Sequence, residues 1–170
     1  MKKALIILLA LVAINATAQI EYGSEWKKAR KTTWKKTAIN VGSSILSVAL
    51  EMTGDALYDM GKESGNKSQM QWGHTLQATG FVVPLVTIPF LVKDSPNKVI
   101  KDVAIIVGTY GLMRFATADL GYNITRGLDP LYAGVTTEHD NIMSKMPPSG
   151  RAFLKGISFT LGVSINIKYW

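Results

Sequence analysis

Glu51, Asp55 and Asp59 are spaced four apart. On a helix they stack along one stripe and repel one another unless water, cations or basic side chains intervene. A row of carboxylates joined by an imidazole suits a divalent cation such as Zn²⁺ or Mn²⁺. His74 is the candidate imidazole, with His139 and Asp140 as further donors. Di-metal helical bundles place Glu-x-x-His on facing helices, whereas Gln71 stands three positions before His74. Glu51, Asp55, Asp59 and His74 are therefore weak candidates, and no metal or other cofactor is assigned. The plain alternative is a solvated acidic stripe beside a structural histidine.

A second group is electrostatic. Arg114 follows the apolar run Val103 to Met113, and a guanidinium buried there needs a partner. Glu51 and Asp55 are the obvious ones. Asp119, Asn123 and Arg126 share a helix face, which makes Asp119–Arg126 a further expected pair. Glu51, Asp55, Asp59, Arg114, Asp119 and Arg126 thus form a candidate charge cluster, able to set helix register or to line an ion or proton path.

Signatures of catalysis are missing. The chain has no G-x-S-x-G, Walker loop, G-x-G-x-x-G or H-E-x-x-H. Two histidines and no cysteine leave few nucleophile–base pairs. Pro148-Ser149-Gly150 matches three positions of the PSGH motif of membrane lipid phosphatases. Arg151 replaces its histidine and the other family motifs are absent, so that assignment is rejected. No catalytic residue is proposed.

The elements that must carry these residues are helical. Ala38 to Lys62 sorts at 100° per residue into a polar side (Asn40, Ser43, Ser44, Ser47 and the three carboxylates) and an apolar side (Ile39, Ile45, Leu46, Ala49, Leu50, Met52, Ala56, Leu57, Met60). The apolar side is expected to pack into the fold. A turn-rich loop over 61–67 leads to a second helix, Ser68 to Val92. The charge-free half of that helix, Gly80 to Val92, contains Pro84 and Pro89, which suits a membrane better than water. Ser95-Pro96 starts a third helix reaching about Asn123, where Gly108 and Gly111 offer room for close helix contact. Thr137 can cap a short helix before the break at Pro147-Pro148.

Residues 157–169 alternate apolar and polar positions from Ile157 to Tyr169. That is a strand pattern, and the closing aromatic resembles the last strand of outer-membrane barrels. No other stretch alternates, so a one-chain barrel is rejected. The segment is either a β-strand in need of a partner, a route to self-association, or a membrane helix. The fold expected is mainly α: a small helical bundle of three principal helices plus a basic amphipathic N-terminal helix, with 157–169 ambiguous.

Location is better marked than chemistry. Met1-Lys2-Lys3, the apolar run Ala4 to Ile14 and Ala16-Thr17-Ala18 resemble a bacterial secretory signal peptide over residues 1–18. Residues 19–37 then form a basic amphipathic segment, and 38–170 the helical domain. Trp26 and Trp34 share a face among Lys27, Lys28, Arg30, Lys31, Lys35 and Lys36, a composition suited to an anionic membrane surface. Nineteen basic against twelve acidic residues favour anionic partners, and export argues against nucleic acid. Segments 38–60, 76–92 and 103–122 approach span length, yet none is a clean run of about 20 apolar residues. The expectation is an exported, membrane-associated protein of the bacterial cell envelope, in periplasm or membrane, acting by lipid or protein contacts. A small transporter or channel-like subunit and a metal-dependent periplasmic hydrolase are the alternatives.

Overall fold

The computed structural model describes residues 24–92, 96–133 and 142–170, with side chains over 33–92, 98–133 and 142–170. The expected signal peptide, the Ser95 cap, His139 and Asp140 lie outside the described residues. The protein is mainly α, and among the described residues there is no strand. Four long helices follow in order: α1 Ser24–Ser64, α2 Lys67–Leu91, α3 Pro96–Thr125 and α4 Pro148–Tyr169. Residues 24–37 of the basic segment and the two-sided stretch after it run as the one helix α1.

Two turns are set by glycine. Gly65 has φ 70°, and the Asn66 N–H reaches back to the Gly61 carbonyl at 2.8 Å. Gly127, also at φ 70°, ends α3 in the same way, with the Leu128 N–H bonded to Asn123 O at 2.8 Å. Both are Schellman stops, which need the left-handed conformation that glycine adopts without a Cβ clash. Asn66 then caps α2 by accepting the Gln69 N–H at 3.1 Å.

Residue pairings define the packing within residues 33–170. Gly54 faces Gly73 and Ser47 faces Gly80, so α1 and α2 are antiparallel. Glu51–Arg114, Asp59–Tyr122 and Glu63–Arg126 all join residues 63 apart, so α1 and α3 run parallel in one register. Asp119–Lys155, Thr109–Asn166 and Asp102–Tyr169 fall along α3 as they rise along α4, an antiparallel pair. The result is an up-down-up-down bundle in which α1 bonds to all three other helices.

Its layering reverses that of a water-soluble bundle. Asn40, Ser44, Ser47, Glu51, Thr109, Asn123, Lys155, Ser158 and Asn166 are buried. Large apolar side chains lie outside, including Phe90 at 68% exposure, Phe153 at 67% and Leu85 at 64%. The buried apolar contribution is small, with Val48, Met52, Ala56, Ile106, Met113 and Ala116 between the polar layers. The expectation that the apolar side of α1 packs inward holds only in part: Met52 and Ala56 are buried, Leu46 and Ala49 face out, and Asn40, Ser44, Ser47 and Glu51 of the polar side are buried as well. The 157–169 segment is helical, not a strand. Its alternation hides a second period, because Lys155, Ser158, Gly162 and Asn166, three and four apart, form the inward face.

Helices Lys67–Leu91 and Lys98–Thr125 are long and apolar enough to cross a membrane, by length and composition. At about 1.5 Å per residue, 25 residues of α2 span roughly 37 Å, against a hydrocarbon thickness of about 30 Å.

Candidate functional site

The candidate site is the polar column between α1 and its neighbours. It begins at a triad of side chains that are all essentially inaccessible. Asn40 Nδ2 donates to Asn166 Oδ1 at 2.7 Å and to Thr109 Oγ1 at 3.2 Å. Asn166 Nδ2 donates to Thr109 Oγ1 at 2.6 Å and to its own helix at Gly162 O. The Thr109 hydroxyl donates to Ile105 O at 2.7 Å. Three helices are tied at one point, with Asn40 Oδ1 left as the triad's unanswered acceptor.

One layer further along α1, Ser47 Oγ donates to Gly80 O at 2.7 Å. The chemistry of proline explains this bond. Pro84 has no N–H for the carbonyl four residues before it, so Gly80 O would be orphaned inside α2. The Ser47 hydroxyl supplies the missing donor, the kind of repair that lets proline sit inside a membrane helix. Gly80 also has to be glycine: a Cβ there would lie 2.8 Å from Ser47 O and from Glu51 Cγ.

Glu51 is the centre of the next layer. At 2% exposure it accepts from Tyr110 OH at 2.6 Å and from the Arg114 guanidinium, with Ser47 Oγ, its proton given to Gly80 O, 3.2 Å away. Arg114 also donates to Tyr110 OH at 3.0 Å. Its side chain stays 42% exposed, so a paired guanidinium lies at the bundle's flank. Of the two partners offered by the sequence, Glu51 is the one bonded to it. Asp55 instead accepts from Gln77 Nε2 of α2.

Toward the far end of α1, Tyr122 OH donates to Asp59 Oδ2 at 2.6 Å, and Arg126 donates to Tyr122 OH at 2.9 Å. Arg126 grips Glu63 with Nη2 bonds of 2.6 and 2.7 Å. Glu63 first, then Tyr122, holds the Arg126 guanidinium above its usual value, so it keeps its charge. The expected Asp119–Arg126 pair does not form. Asp119 accepts from Lys155 Nζ at 2.7 Å, a cation on α4. Residues seven apart lie on one face of a helix, yet Asp119 meets Lys155 of α4 and Arg126, just past the end of α3, meets Glu63 of α1, so each found a partner across an interface rather than along the helix.

No family model, curated protein or solved structure matches the chain.

The remaining candidates divide. His74 Nδ1 lies 3.2 Å from Gln77 Oε1 and its ring leans on Tyr58 at 4.5 Å between centroids. It lines a shallow, open recess of about 500 Å³ with Thr75, Ala78, Thr79 and Val82. Among the described residues no three His, Asp or Glu side chains are grouped to hold a metal ion. Glu51, Asp55, Asp59 and His74 are each engaged with other side chains. Of the interface residues, Trp34, Lys35 and Lys36 are described. Trp26, Lys27, Lys28, Arg30 and Lys31 lie on α1 with side chains outside the described residues. Gly108 and Gly111 meet nothing within 4 Å of an added Cβ, so the close-contact role expected of them falls to Gly54, Gly61, Gly73 and Gly80. Sequence reasoning missed Asn40, Thr109 and Asn166 as a unit. The available signal was small and polar residues at three-and-four spacing along otherwise apolar helices.

Proposed function

We propose that this chain is a membrane-embedded helical bundle of the bacterial cell envelope, exported by its N-terminal segment and acting through contacts with lipid and protein partners. The observation that carries the reading is the inversion of polarity: buried Asn40, Ser47, Glu51 and Asn166 within a shell of exposed Phe81, Leu85, Phe90, Phe153 and Ile157. In water each large exposed apolar side chain forgoes about 1.5–3 kcal/mol of burial. In hydrocarbon that cost disappears, and polar groups gain by turning inward to one another. Two helices of spanning length support the same reading. The layers from Asn40 to Glu63 support a second one, a transporter or channel-like subunit, because polar groups at membrane depth mark ion and proton paths. A metal-dependent hydrolase draws no support from carboxylates already bonded to Arg114, Tyr110, Gln77 and Tyr122.

Fractionation of cells expressing the full chain tests the first reading. The protein is expected in the membrane pellet, resistant to alkaline carbonate and released only by detergent. A monodisperse soluble species without detergent overturns it. For the second, ion flux into vesicles carrying the purified protein is the measurement, with Glu51→Gln as the variant expected to change it.

A further inference from the structure

We infer that the end of the bundle where α1 enters and α4 finishes is a docking surface for anionic phospholipid headgroups. The inference rests on the membrane reading above and names the partner of one end of the molecule. That end is assembled from all four helices. Lys36 Nζ of α1 donates to Leu91 O, in the last turn of α2, at 2.7 Å and lies 4.4 Å from the ring centre of Trp170, which follows α4. Tyr169 OH donates to Asp102 Oδ1 of α3 at 2.8 Å. These contacts bring the exposed Lys35, Lys98, Lys101 and Lys168 to one end. The acid described there, Asp102, is buried and held by Tyr169, so among the described residues the outward side-chain charge is of one sign.

The opposite end is different. There Lys62, Lys67 and Arg126 are interleaved with exposed Glu63 and Asp129, and Arg126 is neutralised by Glu63. Both ends carry lysines and aromatic residues of the kind that settle at headgroup depth, Trp170 and Tyr169 at the first and exposed Trp72 and Tyr132 at the second, but among the described residues exposed acids accompany them only at the second. Lysines there attract phosphate-bearing headgroups over about a Debye length.

The test reconstitutes the full chain from an equimolar mixture of phosphatidylglycerol and phosphatidylcholine and measures the lipid retained after repurification. Phosphatidylglycerol is expected to be enriched several-fold, and the enrichment to fall with added salt. The triple variant Lys98→Gln, Lys101→Gln, Lys168→Gln should bring retention of the two lipids close to parity, since one well-placed lysine is worth about fivefold. The matching variant at the other end, Lys62→Gln, Lys67→Gln and Lys145→Gln, the last exposed just before α4 begins, should leave the enrichment unchanged. Equal retention of the two lipids by the unmodified protein, or equal losses from both variants, overturns the proposal. Carbonate extraction of the same samples is the separate readout of embedding: a carbonate-resistant protein without lipid preference refutes the headgroup surface alone.

Discussion

The two interfaces of α1 are built on opposite principles. Against α2 it presents Ser47, Gly54 and Gly61, seven apart, to Gly80, Gly73 and Asn66, also seven apart, and the helices meet backbone to backbone. Against α3 it presents Glu51, Asp59 and Glu63 to Arg114, Tyr122 and Arg126, and the helices meet through long charged or hydroxyl side chains. The first interface tolerates no added volume but carries little charge. The second has room for side chains, and its register depends on matching charges. Small-residue seams permit dispersion and short polar contacts where the surroundings supply no hydrophobic drive. Paired charges contribute little net stability, yet removing one partner is costly.

Variants separate the two. Gly73→Val is expected to be the most damaging, because even its Cβ would stand 2.7 Å from Gly54 O and Tyr58 N, which are backbone atoms unable to give way. A loss of about 4 kcal/mol or more, or failure to fold, is expected from thermal unfolding in detergent, while Gly111→Ala, in open space, should be neutral or slightly stabilising. Arg114→Met should cost about 3 kcal/mol, since Glu51 would remain buried without its cation. Glu51→Gln should cost less, because the neutral amide still accepts from Tyr110. In the double mutant the losses should fall short of additive by more than about 1 kcal/mol; additive losses would mean that the pair does not set the register.

Smaller effects probe the repair of α2 and the outermost layer. Ser47→Ala should cost about 1 kcal/mol by orphaning Gly80 O, and Pro84→Ala in that background should restore the loss by returning an N–H to the carbonyl. If Ser47→Ala costs the same with and without Pro84, the hydroxyl is not replacing the missing donor. Arg126→Gln should cost less than about 1 kcal/mol, because Glu63 is largely exposed and such pairs contribute little.

Much of the architecture is legible in periodicity. The second and third helices appear within two residues of their expected ends, and the position of Arg114 after an apolar run is enough to demand a carboxylate partner. What misleads are features with two meanings. Ile157 to Tyr169 satisfies a period of two, but its small and polar residues also recur every three or four, and packing against Leu112 and Met113 of α3 selects the helix. Gly108 and Gly111 are as plausible a seam as Gly73 and Gly80. A glycine marks close approach only when another helix is there to approach.

Residue types and spacing alone determined that this chain forms long helices, where glycine stops them, and that charged and amide groups lie on apolar rods. Which face of each rod turns inward was decided only by the tertiary structure. Amphipathicity states that two faces differ without stating which solvent surrounds them, and the partners that satisfy Asn40, Glu51 and Lys155 are dozens of residues away in the chain. Only when four helices share one register do those groups find one another and leave the apolar sides outermost.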